Sequence, residues 1–136
     1  MEARTIWHTF QAACAAIAGW MGYFLGCWDG LLYALAVFIA IDYLTGVLCA
    51  VVERKLSSAV GMKGIIRKVT IFLIVGAAHV ADTAIGNGEL MRTATIIFFI
   101  SNEGISLLEN AGRIGLPIPP KLKSVLSQLH SKGEQK

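Results

Sequence analysis

Charged residues are scarce in this chain, and the short motifs typical of enzymes are absent. Asp, Glu, Lys and Arg make up 15% of the 136 residues, against about 25% in an ordinary soluble domain. There is no GxSxG, HExxH or P-loop motif, and His8, His79 and His130 are far apart in sequence. We therefore predict no catalytic residues, no cofactor and no metal ligands, and we expect that the protein is not an enzyme.

The cysteines are also few and lack the paired spacing of a zinc or redox site. Cys14, Cys27 and Cys49 all lie in apolar segments, far from one another in sequence. Free cysteine behaves as a small apolar residue when it is buried. We interpret the three as packing residues of helices rather than as ligands or redox centres.

Long apolar runs are what the sequence has instead, and one of them decides the class of protein. Residues 31–52 carry a single charge, Asp42. At about 1.5 Å per residue this run spans the roughly 30 Å hydrocarbon core of a bilayer. A carboxylate near the bilayer centre costs several kcal/mol, so Asp42 is expected to be shielded from lipid or functional.

Four apolar segments together predict an all-α integral membrane protein with three to four transmembrane helices. The segments cover residues 10–28, 31–52, 69–85 and 93–108. The first is rich in Ala and Gly, and its role stays open: it could span the membrane, lie flat on it, or be a cleaved signal peptide.

Proline and polar residues mark the end of the membrane part. Pro117, Pro119 and Pro120 stop any helix, and a polar, basic stretch follows. We expect a membrane-embedded domain over residues 1–116 and a cytoplasmic tail over residues 117–136. Residues 57–68 combine basic and apolar side chains and predict a short amphipathic segment at the lipid surface.

Basic residues cluster beside the apolar segments. Five lie within residues 54–68 and five within residues 113–136. We interpret these clusters as cytoplasmic anchors under the positive-inside rule rather than as nucleic-acid contacts, which places the C-terminus inside. The predicted membrane-surface residues are Arg54, Lys55, Lys63, Arg67, Lys68, Lys121 and Lys123.

Polar residues inside the apolar segments are the candidate functional groups, either as a seam between packed helices or as the wall of a watery pore. Asp42, Thr45 and Gly46 share one helical face. His79 and Asp82 are three residues apart and can meet on one helix. A structural hydrogen bond between helices is the alternative for each candidate. The full set is Asp42, Thr45, Gly46, His79, Asp82, Asn102, Glu103, Ser106, Glu109 and Asn110.

Small residues recur every fourth position in the first segment. Ala18, Gly22 and Gly26 follow Cys14 at this spacing. Small side chains let membrane helices approach closely, so we predict a helix-packing face here, within the chain or between copies. An Ala- and Gly-rich helix can also produce such spacing by chance.

Several sequence blocks match a known family in their order and spacing. They include DYLTG at 42–46, KLSS at 55–58, NEGISLLEN at 102–110 and GLPIP at 115–119. Together they resemble the toxin secretion/phage lysis holin family, over roughly residues 26–126. These are small membrane proteins of phages and prophages.

The resemblance implies a function that the residues alone do not give. It implies a protein that oligomerises in the bacterial cytoplasmic membrane and forms lesions that let an endolysin, or a large toxin, reach the cell wall. Its partners would be the lipid bilayer, other copies of itself, and the endolysin or toxin without necessary direct binding. Two alternatives stay open: a small ion or proton channel or transporter using Asp42, His79 and Asp82, and a non-lytic membrane scaffold.

Overall fold

The computed structural model describes residues 2–86, 88–122 and 124, and four long helices account for most of them. The helices are α1 (Glu2–Leu25), α2 (Gly30–Val52), α3 (Ser58–Ile85) and α4 (Leu90–Ile114). Short connections join them; α3 packs antiparallel to α2 and to α4, so α2 is parallel to α4. The predicted all-α class is confirmed for the described residues.

Polar caps and glycines set the helix ends. The side chains of Asp29 and Ser57 each accept a hydrogen bond from the backbone N–H three residues on, at 2.8 and 3.2 Å, and so begin α2 and α3. Gly86 and Gly115 follow α3 and α4 in the left-handed conformation, with φ of 72° and 99°. These turns place the ends of neighbouring helices side by side.

The helix α3 is longer than the apolar pattern predicted. Residues 57–68 do not form a separate amphipathic segment; Ser57 caps the helix, and residues 58–68 are its first three turns. Lysine and arginine are good helix formers, so the change from apolar to basic composition ends the hydrophobic run without ending the helix. Helix α4 likewise extends beyond its predicted segment at both ends, whereas α1 begins before its predicted segment and ends short of it, at Leu25.

The bundle buries several charged and polar side chains and exposes many large apolar ones. Its apolar core is small and includes Leu32, Leu35 and Val75, each fully buried. Large apolar side chains such as Leu44 and Phe98 are about 60% exposed. The buried polar and charged side chains are Asp42, Lys68, Asp82, Arg92, Glu103 and Asn110. A soluble protein shows the opposite arrangement, whereas this one suits a surrounding of lipid.

Helices α2 and α3 are long and apolar enough to cross a membrane. At about 1.5 Å per residue, their 23 and 28 residues correspond to lengths of about 35 and 42 Å. Helix α4 lies against both of them. These three helices define a common axis with two distinct ends.

We name the two ends by their contents. The turn end contains the α1–α2 turn, residues 26–29, and the α3–α4 connection, of which residues 86, 88 and 89 are described. The basic end contains the α2–α3 connection, residues 53–57, and the end of α4.

Helix α1 contacts the other helices only near its C-terminal end. Residues 3–21 are exposed on all sides. The ring of Phe24 stacks on Trp20, with centroids 5.6 Å apart, and lies over Gly76 of α3. A Cβ atom at Gly76 would lie 1.9 Å from the Phe24 ring. The glycine is therefore the reason that α1 can approach α3.

The predicted small-residue stripe contributes little to packing between helices within the described chain. Ala18 is exposed, and the nearest side-chain atom to a Cβ at Gly22 is on Trp28, at 3.8 Å. Gly26 lies beyond the end of α1, with φ of 81°, where a Cβ atom would lie 2.6 Å from Nδ1 of His79. Packing between copies through Ala18 and Gly22 stays a prediction.

Gly76→Ala should loosen the contact between α1 and α3. The added methyl group cannot fit beneath the Phe24 ring, and overpacking of this kind costs about 1–3 kcal/mol. Unfolding of the protein in mixed micelles, followed by circular dichroism, measures the loss. Gly19→Ala is the matched control, because a Cβ atom at Gly19 meets nothing within 4 Å. Equal stability of the two variants would contradict the proposed role of Gly76.

Candidate functional site

One buried ammonium group joins three helices. Lys68 of α3 donates hydrogen bonds to the carboxylates of Asp42 on α2 and of Glu103 on α4. The three side chains are only 11%, 9% and 1% exposed, in that order. We call these three residues the charge cluster. It lies near the middle of all three helices, and its formal net charge is −1.

Attraction between opposite charges holds the charge cluster together, because each of these charges would be unfavourable if it were buried without a partner. Removing charges from water costs several kcal/mol per ion, and only a partner of opposite charge in good geometry offsets this cost. Lys68 is the shared partner of two carboxylates, so its loss would leave two uncompensated charges in the bundle. The cluster therefore fixes the positions of α2, α3 and α4 relative to one another.

Asn110 of α4 adds a second layer of contacts to α2. Its side-chain amide donates to Oδ1 of Asp42 at 3.2 Å and to the hydroxyl of Thr45 at 3.1 Å. Its backbone carbonyl accepts from the thiol of Cys49 at 3.2 Å. A Cβ atom at Gly46 would lie 3.7 Å from the Asn110 amide, so this glycine leaves room for the approach. The spacing of these α2 residues puts them on one face.

A second buried network closes the turn end around Arg92 of α4. Its guanidinium is fully buried and donates to the carbonyls of Leu25 and Cys27, at 2.6 and 3.1 Å, and to the carboxylate of Asp29 at 2.6 Å. It thus satisfies carbonyls at the end of α1 and holds the start of α2. The hydrogen bond from Arg92 to the Asp29 carboxylate lowers the pKa of Asp29 below its usual value.

Asp82 takes part in the same closure by capping α4 from a different helix. Its carboxylate accepts hydrogen bonds from the backbone N–H groups of Met91 and Arg92, at 3.0 and 2.8 Å. Glu89, at the N-cap position of α4, makes no capping hydrogen bond with its side chain. Asp82 of α3 therefore supplies the negative charge and the acceptors that the N-terminus of α4 requires.

An exposed ion pair joins α2 to α4 at the basic end. Arg113 donates to both carboxylate oxygens of Glu53, at 2.9 and 2.8 Å, and Lys55 lies 3.7 Å from the same carboxylate. The hydrogen bond from Arg113 lowers the pKa of Glu53. Because the pair is open to solvent, it contributes little to stability on its own.

The predicted polar residues divide into those that meet and those that do not. Asp42, Thr45, Gly46, Glu103 and Asn110 lie together in and around the charge cluster. The predicted meeting of His79 and Asp82 through a hydrogen bond is not found: Asp82 faces α4, and Nδ1 of His79 is buried without a hydrogen-bond partner among the described residues.

Two of the remaining predicted polar residues line cavities at the charge cluster. Ser106 lines a cavity of about 340 Å³ with Asp42 and Lys68, and Asn102 lines one of about 260 Å³ with Glu103. Glu109 is exposed. No group of His, Cys, Asp and Glu suited to a metal ion occurs within the described residues.

Lys68 differs from the other residues predicted for the membrane surface, because it is buried between helices. At about 1.5 Å per residue it lies about 15 Å along α3 from Ser58, on the face toward α2 and α4. At this position its ammonium group compensates two buried carboxylates, which would otherwise be unpaired. The other predicted surface residues in the described chain, Arg54, Lys55, Lys63, Arg67 and Lys121, are exposed. Lys123 lies outside the described residues, as does most of the predicted tail.

Arg92 and the Glu53–Arg113 pair were not among the functional residues predicted from the sequence. Arg92 is the only Lys or Arg between residues 69 and 112, and the positive-inside rule disfavours it at the turn end. This lone cation between two apolar segments was a usable signal. Glu53 and Arg113 are 60 residues apart in sequence, and no local sequence pattern predicts that they pair.

Fold and site define a small helical protein that has two helices able to cross a membrane, several buried charges between its helices, and many large apolar side chains on its outside. Residues 19–131 match the bacteriophage holin family, so the chain belongs to that family. The resemblance found in the sequence is thus confirmed. No solved structure matches this chain significantly.

Similar proteins occur in bacteria and in a phage. An uncharacterized 14.9 kDa protein from the nagH 3′ region of Clostridium perfringens is 45% identical over 79% of this chain and 82% of its own length. An uncharacterized protein of Halalkalibacterium halodurans is 41% identical over 99% and 98%. A protein named as a probable holin in Bacillus phage phi105 is 35% identical over 75% and 76%.

Lys68→Met should strongly destabilise the bundle. It removes the cation and leaves the buried carboxylates of Asp42 and Glu103 unpaired, a change that costs about 3–5 kcal/mol. Unfolding in mixed micelles measures the effect. Lys63→Met is the matched control, because Lys63 is exposed on the same helix. If both variants unfolded at the same denaturant concentration, Lys68 would not be holding the helices together.

Proposed function

We propose that this protein is a non-enzymatic phage-type holin of the bacterial cytoplasmic membrane. In this proposal it accumulates there, oligomerises, and forms lesions through which an endolysin or a large toxin reaches the cell wall. Membership of the bacteriophage holin family supports this role. The structural observation that carries the proposal is the charge cluster, in which Lys68 pairs with Asp42 and Glu103.

The charge cluster gives a physical reason for two states of the protein. Within one compact bundle the three charges are shielded from lipid by their neighbours and by each other. If the helices separate in a larger assembly, the same side chains must face water, because exposure to lipid costs too much. The polar faces of α2 and α4 would then line a lesion. Asn102 and Ser106, at the cavities beside the cluster, would extend that polar surface.

The topology that fits this role has the basic end in the cytoplasm. Arg54, Lys55, Lys63 and Arg113 lie there, as the positive-inside rule requires. Helix α4 would cross together with α2 and α3, since its buried charges face those helices and not lipid. Residues 1–116 would form the membrane domain and residues 117–136 a cytoplasmic tail. Whether α1 crosses as a fourth span decides the side of the N-terminus.

The channel alternative needs Asp42, His79 and Asp82 to act along one path. Asp42 belongs to the charge cluster, whereas Asp82 caps α4 at the turn end. That separation favours the holin over a proton relay through these three groups. A scaffold without any lytic role predicts no permeability at any level of expression.

Glu103→Gln and Asp42→Asn should delay lysis. Either change leaves a neutral pair with Lys68, which is easier to keep buried than a cluster of net charge −1, so the compact state is favoured. The measurement is an induction time course in bacteria with and without a cytoplasmic endolysin, following culture density and release of a folded reporter protein. The unchanged protein should give abrupt, endolysin-dependent lysis after a delay. Glu89→Gln is the control, because the Glu89 side chain is 56% exposed and lies outside the charge cluster; it should lyse on the normal schedule.

Other outcomes would reject parts of this proposal. Ion leakage without lysis would support a small channel, and no effect at verified membrane expression would support a scaffold. If Glu103→Gln and Asp42→Asn both lysed cells on the normal schedule, the charge cluster would have no part in the timing.

A further inference from the structure

The larger cavity opens at the basic end, where α2 ends, α3 begins and α4 ends. Its volume is about 340 Å³, within the range of about 300–1,000 Å³ found for small-molecule sites. Gly61 and Gly64 of α3 leave this space beside the ring of Tyr43; a Cβ atom at Gly64 would lie 3.2 Å from that ring. The cavity is thus shaped by residues that do not belong to the charge cluster.

The charges that line this cavity are mostly positive. Four basic side chains line it, and two carboxylates, Asp42 and Glu53, oppose them. Asp42 is paired with Lys68, which also pairs with Glu103, and Glu53 is paired with Arg113 and at longer range with Lys55. Among the described residues, Arg67 has neither an ion pair nor a hydrogen bond from its side chain. A free guanidinium facing a cavity is a binding group for phosphate.

Exposed apolar surface continues from Arg67 toward the turn end. Arg67 also lines the smaller cavity together with Ile74, which lies two turns further along α3 and is 43% exposed. A soluble anion gains nothing from such neighbours, whereas the apolar part of a lipid does. Charge and apolar surface therefore meet here as they do at the head-group level of a membrane.

We propose that this cavity binds the phosphate head group of one anionic phospholipid. The guanidinium of Arg67 contacts the phosphate, with Lys55 at the rim, and the acyl chains run from there toward the turn end along the apolar side of α3 that includes Ile74. The proposal rests on the membrane location given above, but not on lesion formation. It assigns the cavity a discrete lipid, beyond the general attraction of a basic surface to an anionic membrane.

Native mass spectrometry of the full chain in detergent micelles tests this site. The protein is titrated with phosphatidylglycerol or with phosphatidylcholine of the same acyl chains, and bound lipids are counted. We expect one preferred phosphatidylglycerol, and a loss of about fivefold in its binding for Arg67→Gln, the effect of one basic group at an anionic surface. Lys63→Gln makes the same charge change one turn away and outside the cavity, and should leave this binding unchanged.

A second variant fills the cavity without changing its charge. Gly61→Leu should also reduce phosphatidylglycerol binding, with helical content by circular dichroism as the check on folding. Equal losses for Arg67→Gln and Lys63→Gln would overturn the proposal in favour of general surface attraction. Displacement of the lipid by millimolar inorganic phosphate would overturn it in favour of a soluble anion. Because lipid binding is measured without lysis, failure of the holin role would leave this result interpretable.

Discussion

The ammonium group of Lys68 carries the constraint on which the rest of this structure depends. Asp42 and Glu103 come from different helices, and neither carboxylate can remain buried in an apolar bundle without a cation. Lys68 supplies that cation to both, from a third helix. The register of α2, α3 and α4 follows from this shared pairing, and Asn110 and Thr45 extend it along the α2–α4 contact.

The same logic explains the two ends of the bundle. At the turn end, Arg92 satisfies carbonyls that α1 leaves unpaired and holds Asp29, while Asp82 caps α4. At the basic end, Glu53 and Arg113 pair in solvent. Polar contacts therefore tie the helices at three levels, whereas the apolar side chains mainly form the outer surface. In lipid the hydrophobic effect does not drive helices to associate, so polar contacts and close packing must stabilise the association instead.

The sequence alone was sufficient to predict apolar helices, but not to predict which side chains pair between them. The apolar runs identified α2 and the apolar part of α3, because hydrophobicity over about 20 residues is a local property. Asp42 and Glu103 were recognisable because a charge in an apolar run requires an explanation. Their cation was not recognised, since Lys68 lies in a basic stretch that also suits a membrane surface. Arg92 was missed for a related reason: its partners lie more than 60 residues away in sequence, and only the turns bring them near.

An exchange of charges tests the central claim, that Lys68 holds the bundle by pairing with buried carboxylates. Lys68→Glu alone puts three acidic groups together, and Glu103→Lys alone puts two basic groups beside Asp42. Combined, the two substitutions restore one cation between two carboxylates at the same sites. The measurement is unfolding in mixed micelles of both single variants and the combined variant. The account predicts that each single variant is strongly destabilised and that the combined variant recovers much of the lost stability. If the combined variant were no more stable than the single variants, or if the single variants unfolded like the unchanged protein, the account would be wrong.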